Sequence, residues 1–458
     1  MKITKVDIGD YRQFKNISFD FTYPEGHPKA GQPLDKVCLI GQSGTGKTTL
    51  LNVIWELTKT LSKVWEAEGR VINNDLLSNE KLLGELFEQT SFKLKVGYQI
   101  ATLKKASAPN MSDREYLADW YQQYIHKKPT FYFNPNQKVC IYIKDSIARE
   151  ADAFLFDQKE KPQLFSDFIK TTTQVENEKA EYENWINSAG SRKAIVLGDM
   201  ESLSTWQYLL RDLNQYDEES QAIVRSFLQK QGASASKLVN ELQKWIDTTP
   251  NPRIDLAEKC LNPILDKLFL EVDTAAGNVP ITLQTKGGVK IPNDSLSTGT
   301  RQLLSTAIPL YKFNTKDTLI LFDEPERSLF PDIQRELIKY YTGLAPEAQF
   351  FFATHSPIIA AAFEPCERFI LYFDENGEVK CRNGVAPIGD DPNDVLRKDF
   401  NMSPLVPEEG VEAYQNYLDL ATKIKNEPDI ERKMALIAER SILGNKYDFP
   451  VTKADEKN

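Results

Sequence analysis

The spacing of apolar residues predicts strands and a helix in the first part of the chain. Alternating apolar positions in residues 3–8 and 17–21 predict two short strands joined by a polar turn. The apolar run 36–40 predicts a buried strand that ends at Gly41, and apolar residues at every third or fourth position from 50 to 64 predict an amphipathic helix after it. A strand, a glycine-rich loop and a helix therefore follow one another directly.

Strand-like and helix-like patterns continue to alternate along the rest of the chain. Residues 91–104 and 138–144 have strand patterns, whereas residues 154–270 are mostly helical in pattern. Apolar strands return at 319–322 and 350–353, which predicts an α/β fold with a mixed, mostly parallel sheet flanked by helices. The predicted parts are an N-terminal lobe of the head at 1–105, a mainly helical insertion at 106–270, a C-terminal lobe at 271–391 and a helical segment at 392–458.

The composition is that of a globular protein, with 41% hydrophobic and 27% charged residues in a chain of 458. No apolar run reaches the length of a membrane span, and the N-terminus lacks the unbroken apolar stretch of a secretion signal. Five scattered cysteines fit a reducing compartment, so we expect a cytoplasmic protein. The net charge of −10 disfavours general attraction to nucleic acid, so contact with DNA would have to be local or made through a partner.

A phosphate-binding pattern follows the third predicted strand. The sequence GQSGTGKT matches G-x-x-x-x-G-K-[ST] at every fixed position, and it lies between a buried strand and an amphipathic helix, where backbone N–H groups and the helix dipole can hold phosphate oxygens. Lys47 would neutralise the β- and γ-phosphates, and the Thr48 hydroxyl would bind Mg²⁺. We expect ATP to contact Gly41, Gln42, Ser43, Gly44, Thr45, Gly46, Lys47 and Thr48.

A second motif, LILFDEPE at residues 319–326, places two carboxylates at the end of an apolar strand. Asp323 is expected to hold the Mg²⁺ shell. Glu324 follows it directly and is the predicted general base that polarises the attacking water. An acidic strand end followed by proline is common, so the motif indicates ATP hydrolysis only because the phosphate loop accompanies it.

Two further motifs lie on either side of the acidic strand. LSTGTRQ, at residues 296–302, begins a predicted helix in which the Ser297 hydroxyl and the N–H groups around Gly299 can bind an anion, although such a sequence alone is ordinarily a turn and a helix cap. His355 ends the apolar strand at 350–353 and is predicted to contact the γ-phosphate, although a histidine at a strand end is more often structural. The order of all four motifs resembles that of ATP-binding-cassette ATPases.

The segments that carry these motifs resemble the RecF- and OLD-like AAA ATPases, which share the head of chromosome-maintenance and DNA-repair ATPases. The resemblance implies that two chains sandwich two ATP molecules, with Ser297 and Gly299 acting in trans. It also implies nucleotide contacts for Arg12 and Thr49, and a metal-associated glutamine for which Gln99 is the best of several candidates. The segments are IGDYRQFKNISFDF, GQSGTGKTTLL, LSTGTRQLL, LILFDEPERSLFP and FFATHSP.

One motif departs from that family. Leu329-Phe330-Pro331 stands where the family has Leu-His-Pro, which puts the role of a second histidine at this interface in doubt. Transport ATPases have an LSGGQ signature and a smaller insertion, so that class is disfavoured.

The residues after the histidine strand are too few for the nuclease domain of OLD proteins, so we expect any nuclease on a separate chain. Heads of this size resemble the ATPase subunits of the PARIS and Septu anti-phage systems. The resemblance implies an ATPase that self-associates as a dimer or larger assembly and controls a separate effector nuclease of the Toprim or HNH type. Two alternatives stay open: a DNA-repair or DNA-loading ATPase that binds DNA directly, and a scaffold that binds ATP with little turnover.

Overall fold

The structure, a computed structural model, divides the chain into two compact units, Met1–Gly389 and Asp390–Asn458. The residues that it describes are 1–66, 90–96, 99–103, 137–149, 155, 184, 187–198, 203–229, 235–275, 280–402, 408–447 and 449.

The described strands form three sheets, all within the first unit. Their bounds are β1 Lys2–Tyr11, β2 Phe14–Asp20, β3 Lys36–Gly41, β4 Thr90–Val96, β5 Gln99–Leu103, β6 Cys140–Ile143, β7 Ala194–Leu197, β8 Leu270–Val272, β9 Leu283–Thr285, β10 Lys290–Ile291, β11 Leu319–Asp323, β12 Gln349–Ala353, β13 Arg368–Phe373 and β14 Val379–Asn383.

The described helices flank or follow these strands. They are α1 Lys47–Glu66, α2 Leu203–Leu228, α3 Ala235–Thr248, α4 Pro252–Leu256, α5 Asn262–Leu265, α6 Thr298–Lys312, α7 Pro331–Leu344, α8 Pro357–Ala360, α9 Pro392–Lys398, α10 Glu408–Asn426 and α11 Ile430–Tyr447. A π-helical turn, Ala257–Leu261, joins α4 to α5.

The central sheet has seven strands in the order β14-β13-β3-β12-β11-β6-β7. Every neighbouring pair is parallel except β13 with β14, so the prediction of a mixed, mostly parallel sheet in an α/β fold is confirmed. The strands β11 and β12 are buried along almost their whole length, because helices cover both faces of a parallel sheet. This burial explains why both segments are continuous apolar runs in the sequence.

The register of the central strands decides where the site can form. Asp323, the last residue of β11, pairs with Ala353 of β12, and Ala353 pairs with Leu39 near the end of β3. The carboxyl ends of these three strands therefore meet at one edge of the sheet, where ligands bind in open α/β folds.

The interval 106–270 is more closely joined to the head than the prediction of a mainly helical insertion implies. Two of its segments, β6 and β7, lie in the central sheet beside β11. The strand β6 was expected from its pattern, whereas β7 lies within a stretch whose overall pattern is helical and was not predicted. The helices α2 and α3 follow β7, as the helical pattern of that region predicts.

A second sheet, in the order β2-β1-β4-β5, carries the N-terminal hairpin. The strands β1 and β2 pair antiparallel, as predicted. Phe21, just after β2, packs edge-on against Phe351 of β12 and Phe369 of β13, with ring centroids 5.1 Å and 5.0 Å away. These aromatic contacts join the second sheet to the central one.

The buried side chain of Gln349 also joins the two sheets. Its Oε1 accepts a hydrogen bond from the N–H of Ile3 at 2.7 Å, and its Nε2 donates to the carbonyls of Ile3 at 3.0 Å and Leu34 at 2.9 Å. Gln349 is fully buried, so water cannot replace these bonds. The amide thus satisfies backbone groups of two neighbouring segments.

The second unit contains helices and no strand among its described residues. The helices α10 and α11 pack on each other, and Tyr417 of α10 contacts Phe449 beyond α11 with ring centroids 5.4 Å apart. In the part of the chain that the structure describes, no helix combines the length and apolarity needed to cross a membrane.

We expect Gln349→Leu to lower the free energy of unfolding by about 2–4 kcal/mol, because it leaves three buried backbone groups without partners. Urea unfolding followed by fluorescence measures this change. Gln243→Leu is the control, because Gln243 is exposed on α3 and its side chain donates to the exposed Asp247. Equal stability of the two variants would contradict the docking role of Gln349.

Candidate nucleotide-binding site

The phosphate loop connects the end of β3 to the start of α1. Gly41, Gly44 and Gly46 have φ values of 145°, 84° and 101°, a region that residues with a side chain rarely adopt. A Cβ atom at Gly41 would collide with the carbonyl of Leu371, and one at Gly46 would collide with the side chains of Gln13 and Phe14. The loop conformation therefore requires glycine at these positions.

Lys47 lies at the first turn of α1 and is almost fully buried. Its Nζ donates to the backbone carbonyls of Gly41 at 2.8 Å and Gln42 at 3.1 Å, so the ammonium group is held inside the loop. Burial lowers the pKa of Lys47, and the nearby carboxylates of Asp323 and Glu324 oppose this shift. A cation in this position can neutralise phosphate oxygens that the loop holds.

Thr48 and Asp323 meet where α1 begins and β11 ends. The Thr48 hydroxyl donates to Asp323 Oδ1 at 3.2 Å. Burial raises the pKa of Asp323 to about 6, the charges of Glu324 and Asp145 add to the rise, and the hydrogen bond from Thr48 opposes it. Hydroxyl and carboxylate oxygens are ligands that Mg²⁺ prefers, and a dication would stabilise a carboxylate that is costly to ionise. Thr48 and Asp323, two of the three residues predicted to bind metal, fit that role.

Glu324 and His355 lie next to each other at the ends of β11 and β12. The distance from His355 Nε2 to Glu324 Oε1 is 4.0 Å, and both side chains are almost half exposed. Glu324 has a φ of 49°, and its N–H donates to the carbonyl of Ala353 at 2.9 Å, which fixes the turn after the strand. Burial lowers the pKa of His355 and the charge of Lys47 lowers it further, so the neutral imidazole is favoured.

Glu326, which the sequence interpretation did not assign, holds the backbone beside His355. Its Oε1 accepts from the Thr354 hydroxyl at 2.5 Å and from the N–H of His355 at 3.0 Å. The other carboxylate oxygen, Oε2, is buried with no hydrogen-bond partner among the described residues. Burial raises the pKa of this carboxyl. The only sequence signal for Glu326 was a third carboxylate in the DEPE motif.

Ser297 and Gly299 lie at the start of α6, in different surroundings from the phosphate loop. Ser297 caps the helix, and its Oγ accepts from the N–H of Thr300 at 3.1 Å. Gly299 is buried so closely against the carbonyl of Ser328 that a Cβ atom could not fit. Ser297 itself is exposed, its hydroxyl bonds to Thr300, and its carbonyl accepts from the N–H of Arg301 at 3.1 Å.

The turn between β1 and β2 approaches the phosphate loop through Gln13 instead of Arg12. Gln13 Nε2 donates to the Thr49 hydroxyl at 2.9 Å, and the same side chain lies against Gly46. Arg12 is exposed, has a φ of 53°, and stacks over the ring of its neighbour Tyr11 at 5.4 Å. Sequence reasoning missed Gln13, because nothing in the local pattern shows which residue of the turn faces the loop.

Gln99, predicted to bind metal, begins the edge strand β5 of the second sheet, where its backbone pairs with Val96. Its side chain lies outside the described residues, so that assignment stays a prediction. Within the phosphate loop, the Thr45 hydroxyl donates to the carbonyl of Gln42 at 2.7 Å and closes the turn. The nucleotide contacts expected of Gln42, Ser43 and Gly44 stay predictions.

A profile of the AAA ATPase domain family matches residues 1–360. The chain belongs to this family. The matched segment contains all five residues that meet at this sheet edge, namely Lys47, Thr48, Asp323, Glu324 and His355. Family membership is consistent with a nucleotide site at this sheet edge.

Other similarities cover less of the chain or are more distant. An 87-residue segment is 37% identical to the "Probable ABC transporter ATP-binding protein p29" of Mycoplasma pneumoniae and spans 19% of this chain. This chain covers only 28% of that relative. A Pyrococcus furiosus Smc head domain bound to the C-terminal domain of ScpA aligns over 83% of this chain and 96% of its own, with 15% identity and a TM-score of 0.36. A second SmcHead structure, bound to the C-winged helix domain of ScpA, aligns over 84% of this chain and 97% of its own, with 12% identity and a TM-score of 0.34.

We expect Asp323→Asn to raise the melting temperature of the nucleotide-free protein, by about 2 °C at pH 7.5 and by less at pH 5. A carboxyl whose pKa rises from 3.8 to about 6 on folding binds its proton more tightly in the folded state, so its ionisation destabilises the fold increasingly as pH rises through that window. The amide mimics the protonated form. The variant should also lose any increase in melting temperature that Mg²⁺ gives with ATP.

Thermal unfolding followed by intrinsic fluorescence at both pH values measures this effect. Asp247→Asn is the control, because Asp247 is exposed on α3. A melting temperature that falls equally at both pH values would contradict the electrostatic origin of the effect.

Proposed function

We propose that this chain binds Mg²⁺ and ATP at the phosphate loop and hydrolyses ATP in a site completed by the signature helix, α6, of a second copy. The observation that carries the proposal is the Thr48–Asp323 hydrogen bond with Glu324 and His355 beside it at the same sheet edge. When bound, Mg²⁺ would supply charge stabilisation at the β- and γ-phosphates, held by Thr48 and Asp323.

In this proposal each residue of the site has a separate role. Lys47 and the N–H groups of the loop bind and orient the phosphates. Glu324, half exposed and one residue beyond Asp323, accepts a proton from the attacking water. The backbone N–H of His355 donates to Glu326, which holds the residue in place. The neutral ring of His355 donates a hydrogen bond toward the γ-phosphate.

Glu324→Gln should lower kcat for ATP hydrolysis by about 100-fold or more while ATP binding is retained, because the amide keeps the shape of the side chain and cannot take a proton. Steady-state phosphate release and calorimetric titration with ATP measure the two quantities. Glu347→Gln is the matched control, because Glu347 is exposed near the start of β12, at the opposite end of that strand from His355. Unchanged turnover in Glu324→Gln would remove Glu324 from the role of general base.

The composite character of the site is supported by the exposure of Ser297 at the start of α6. Lys47→Ala should abolish ATP binding, and Ser297→Arg should block the surface offered to a partner. Neither variant should hydrolyse ATP alone. Their equal mixture should recover about a quarter of the wild-type rate, because half of the pairs contain both chains and each such pair has one intact site of two.

The recovery is measured as phosphate release from the separate and mixed variants. A control mixture of Lys47→Ala with Glu324→Gln should stay inactive, because no pair then holds an intact loop and an intact base in the same chain. A mixture of the first two variants that stays at background would contradict a shared site.

We further propose that the ATPase senses infection or restrains a separate effector nuclease in bacterial anti-phage defence. Support comes from the resemblance of the ordered motifs to RecF- and OLD-like ATPases and from the similarity in size to the ATPase subunits of the PARIS and Septu systems. The test is the mass and composition of the complex that the tagged chain forms in its own host, with a nuclease as the expected partner.

Salt-sensitive DNA binding and DNA-stimulated turnover by the purified chain alone would favour direct action on DNA instead. Turnover near background with one tightly held nucleotide per chain would favour a scaffold.

A further inference from the structure

A partly exposed aromatic ring lies beside the phosphate loop at the end of β13. Leu371 of β13 pairs in parallel with Gly41, so the last two residues of β13 extend past the point where the loop begins. The second of them, Phe373, has a ring whose Cζ atom lies 3.9 Å from the point that a Cβ atom of Gly44 would occupy. Phe373 is 40% exposed. Its ring therefore offers apolar surface to a ligand that the loop holds.

The ring of Phe373 is on the same face of the central sheet as the N-terminal hairpin. Successive residues of a strand point to opposite faces, so Phe373 shares its face with Phe369, which packs against Phe21 after β2. Lys15 Nζ, in β2, lies 3.9 Å from Glu378 Oε1, in the turn between β13 and β14. The two hairpins therefore lie side by side next to the loop.

The direction of a bound nucleotide follows from the positions of the reacting groups. Glu324 and His355 follow β11 and β12, so the γ-phosphate lies on that side of the loop. The strand β13 borders β3 on the side away from β12. The nucleoside end therefore extends from the loop toward β13 and the N-terminal hairpin, where Gln13 lies against Gly46 and donates to Thr49.

The turn that follows Phe373 is closed by hydrogen bonds. The N–H of Asp374 donates to the carbonyl of Glu378 at 2.9 Å, and Asp374 Oδ1 accepts from the N–H groups of Asn376 and Glu378, both at 2.9 Å. The N–H of Gly377 donates to the carbonyl of Asp374 at 2.9 Å. The backbone that carries Phe373 is thus held without help from a ligand, which limits the entropy that binding would cost.

We propose that the nucleobase of the bound nucleotide packs on the ring of Phe373; this inference rests on the nucleotide binding proposed above. An aromatic face offers stacking surface and no hydrogen-bond donor or acceptor, so the contact distinguishes bases by ring area and not by their edges. The two fused rings of a purine cover more of the side chain than the single ring of a pyrimidine. Phe373 therefore favours purine nucleoside triphosphates and contributes little to the choice between adenine and guanine.

Phe373→Ala should weaken ATP binding by about 10-fold, because it removes the stacking surface. Turnover at low ATP should fall by a similar factor, and saturating ATP should restore most of it, because the ring lies away from the γ-phosphate. Phe373→Trp should keep the wild-type affinity. Tyr372→Ala is the matched control, because Tyr372 is 38% exposed and points to the opposite face of the sheet.

The deciding comparison uses inorganic tripolyphosphate with Mg²⁺, which has the phosphate chain and no base. Phe373→Ala should bind it within about 2-fold of wild type, because the loop is intact. Among complete nucleotides, wild type should bind ATP and GTP about 3-fold or more tightly than CTP, and Phe373→Ala should narrow that difference. Calorimetric titration measures each affinity, and melting temperatures show that the variants are folded.

The outcomes separate the base contact from the nucleotide site. Equal weakening of ATP and tripolyphosphate in Phe373→Ala overturns the base contact, because the ring would then only support the loop at Gly44. Unchanged ATP affinity in Phe373→Ala, or an equal loss in Tyr372→Ala, overturns it as well and leaves the nucleotide site standing. Wild-type protein that binds neither ATP nor tripolyphosphate overturns the nucleotide site itself, and the base contact with it.

Discussion

The candidate site depends on the parallel register of β3, β12 and β11. Because Asp323 is aligned with Ala353, and Ala353 with Leu39, the residues that follow each strand leave the sheet at the same edge. The phosphate loop, His355 and the Asp323–Glu324 pair follow these strands directly. A slip of one residue in any pairing would turn a buried strand inside out and move its terminal side chain away from the others. Strong burial of the apolar strands thus secures the position of the polar groups.

Those polar groups are brought together at an electrostatic cost. Lys47 is buried with a lowered pKa, whereas the carboxyls of Asp323 and Glu326 are buried with raised pKa values. In the free protein these shifts work against the charged forms. A nucleotide with its metal supplies the complementary charges, so binding relieves the cost that folding incurred. Preorganisation of this kind is what lets a site stabilise charge that develops during a reaction.

Two other contacts extend the site beyond the central sheet. The N-terminal sheet is held by Gln349 and by the aromatic side chain of Phe21, and its hairpin turn places Gln13 on Thr49 beside the loop. On another side, Gly299 joins the signature helix to the segment after β11. This packing links the start of α6 to the segment that follows Asp323 and Glu324.

Local sequence was sufficient for the chemistry of the site and for most strands of the sheet. The spacing of glycines and Lys47 in the loop, the apolar run before Asp323 and the period of α1 are properties of a few consecutive residues, and each predicts its own conformation. Membership of the AAA ATPase domain family is consistent with that interpretation. The strand β7 was missed because it lies within a stretch whose overall pattern is helical.

Only the tertiary structure decided which residues of distant segments meet. The family resemblance implied a nucleotide contact for Arg12, which stays a prediction, whereas only the fold showed that its neighbour Gln13 lies against the loop. The third carboxylate of DEPE became a partner of Thr354 and His355 only when β11 and β12 paired. The spacing of apolar residues along the chain predicts the conformation of each segment. The contacts between residues 299 and 328, and between residues 326 and 354, depend on how distant segments pack, which that spacing does not predict.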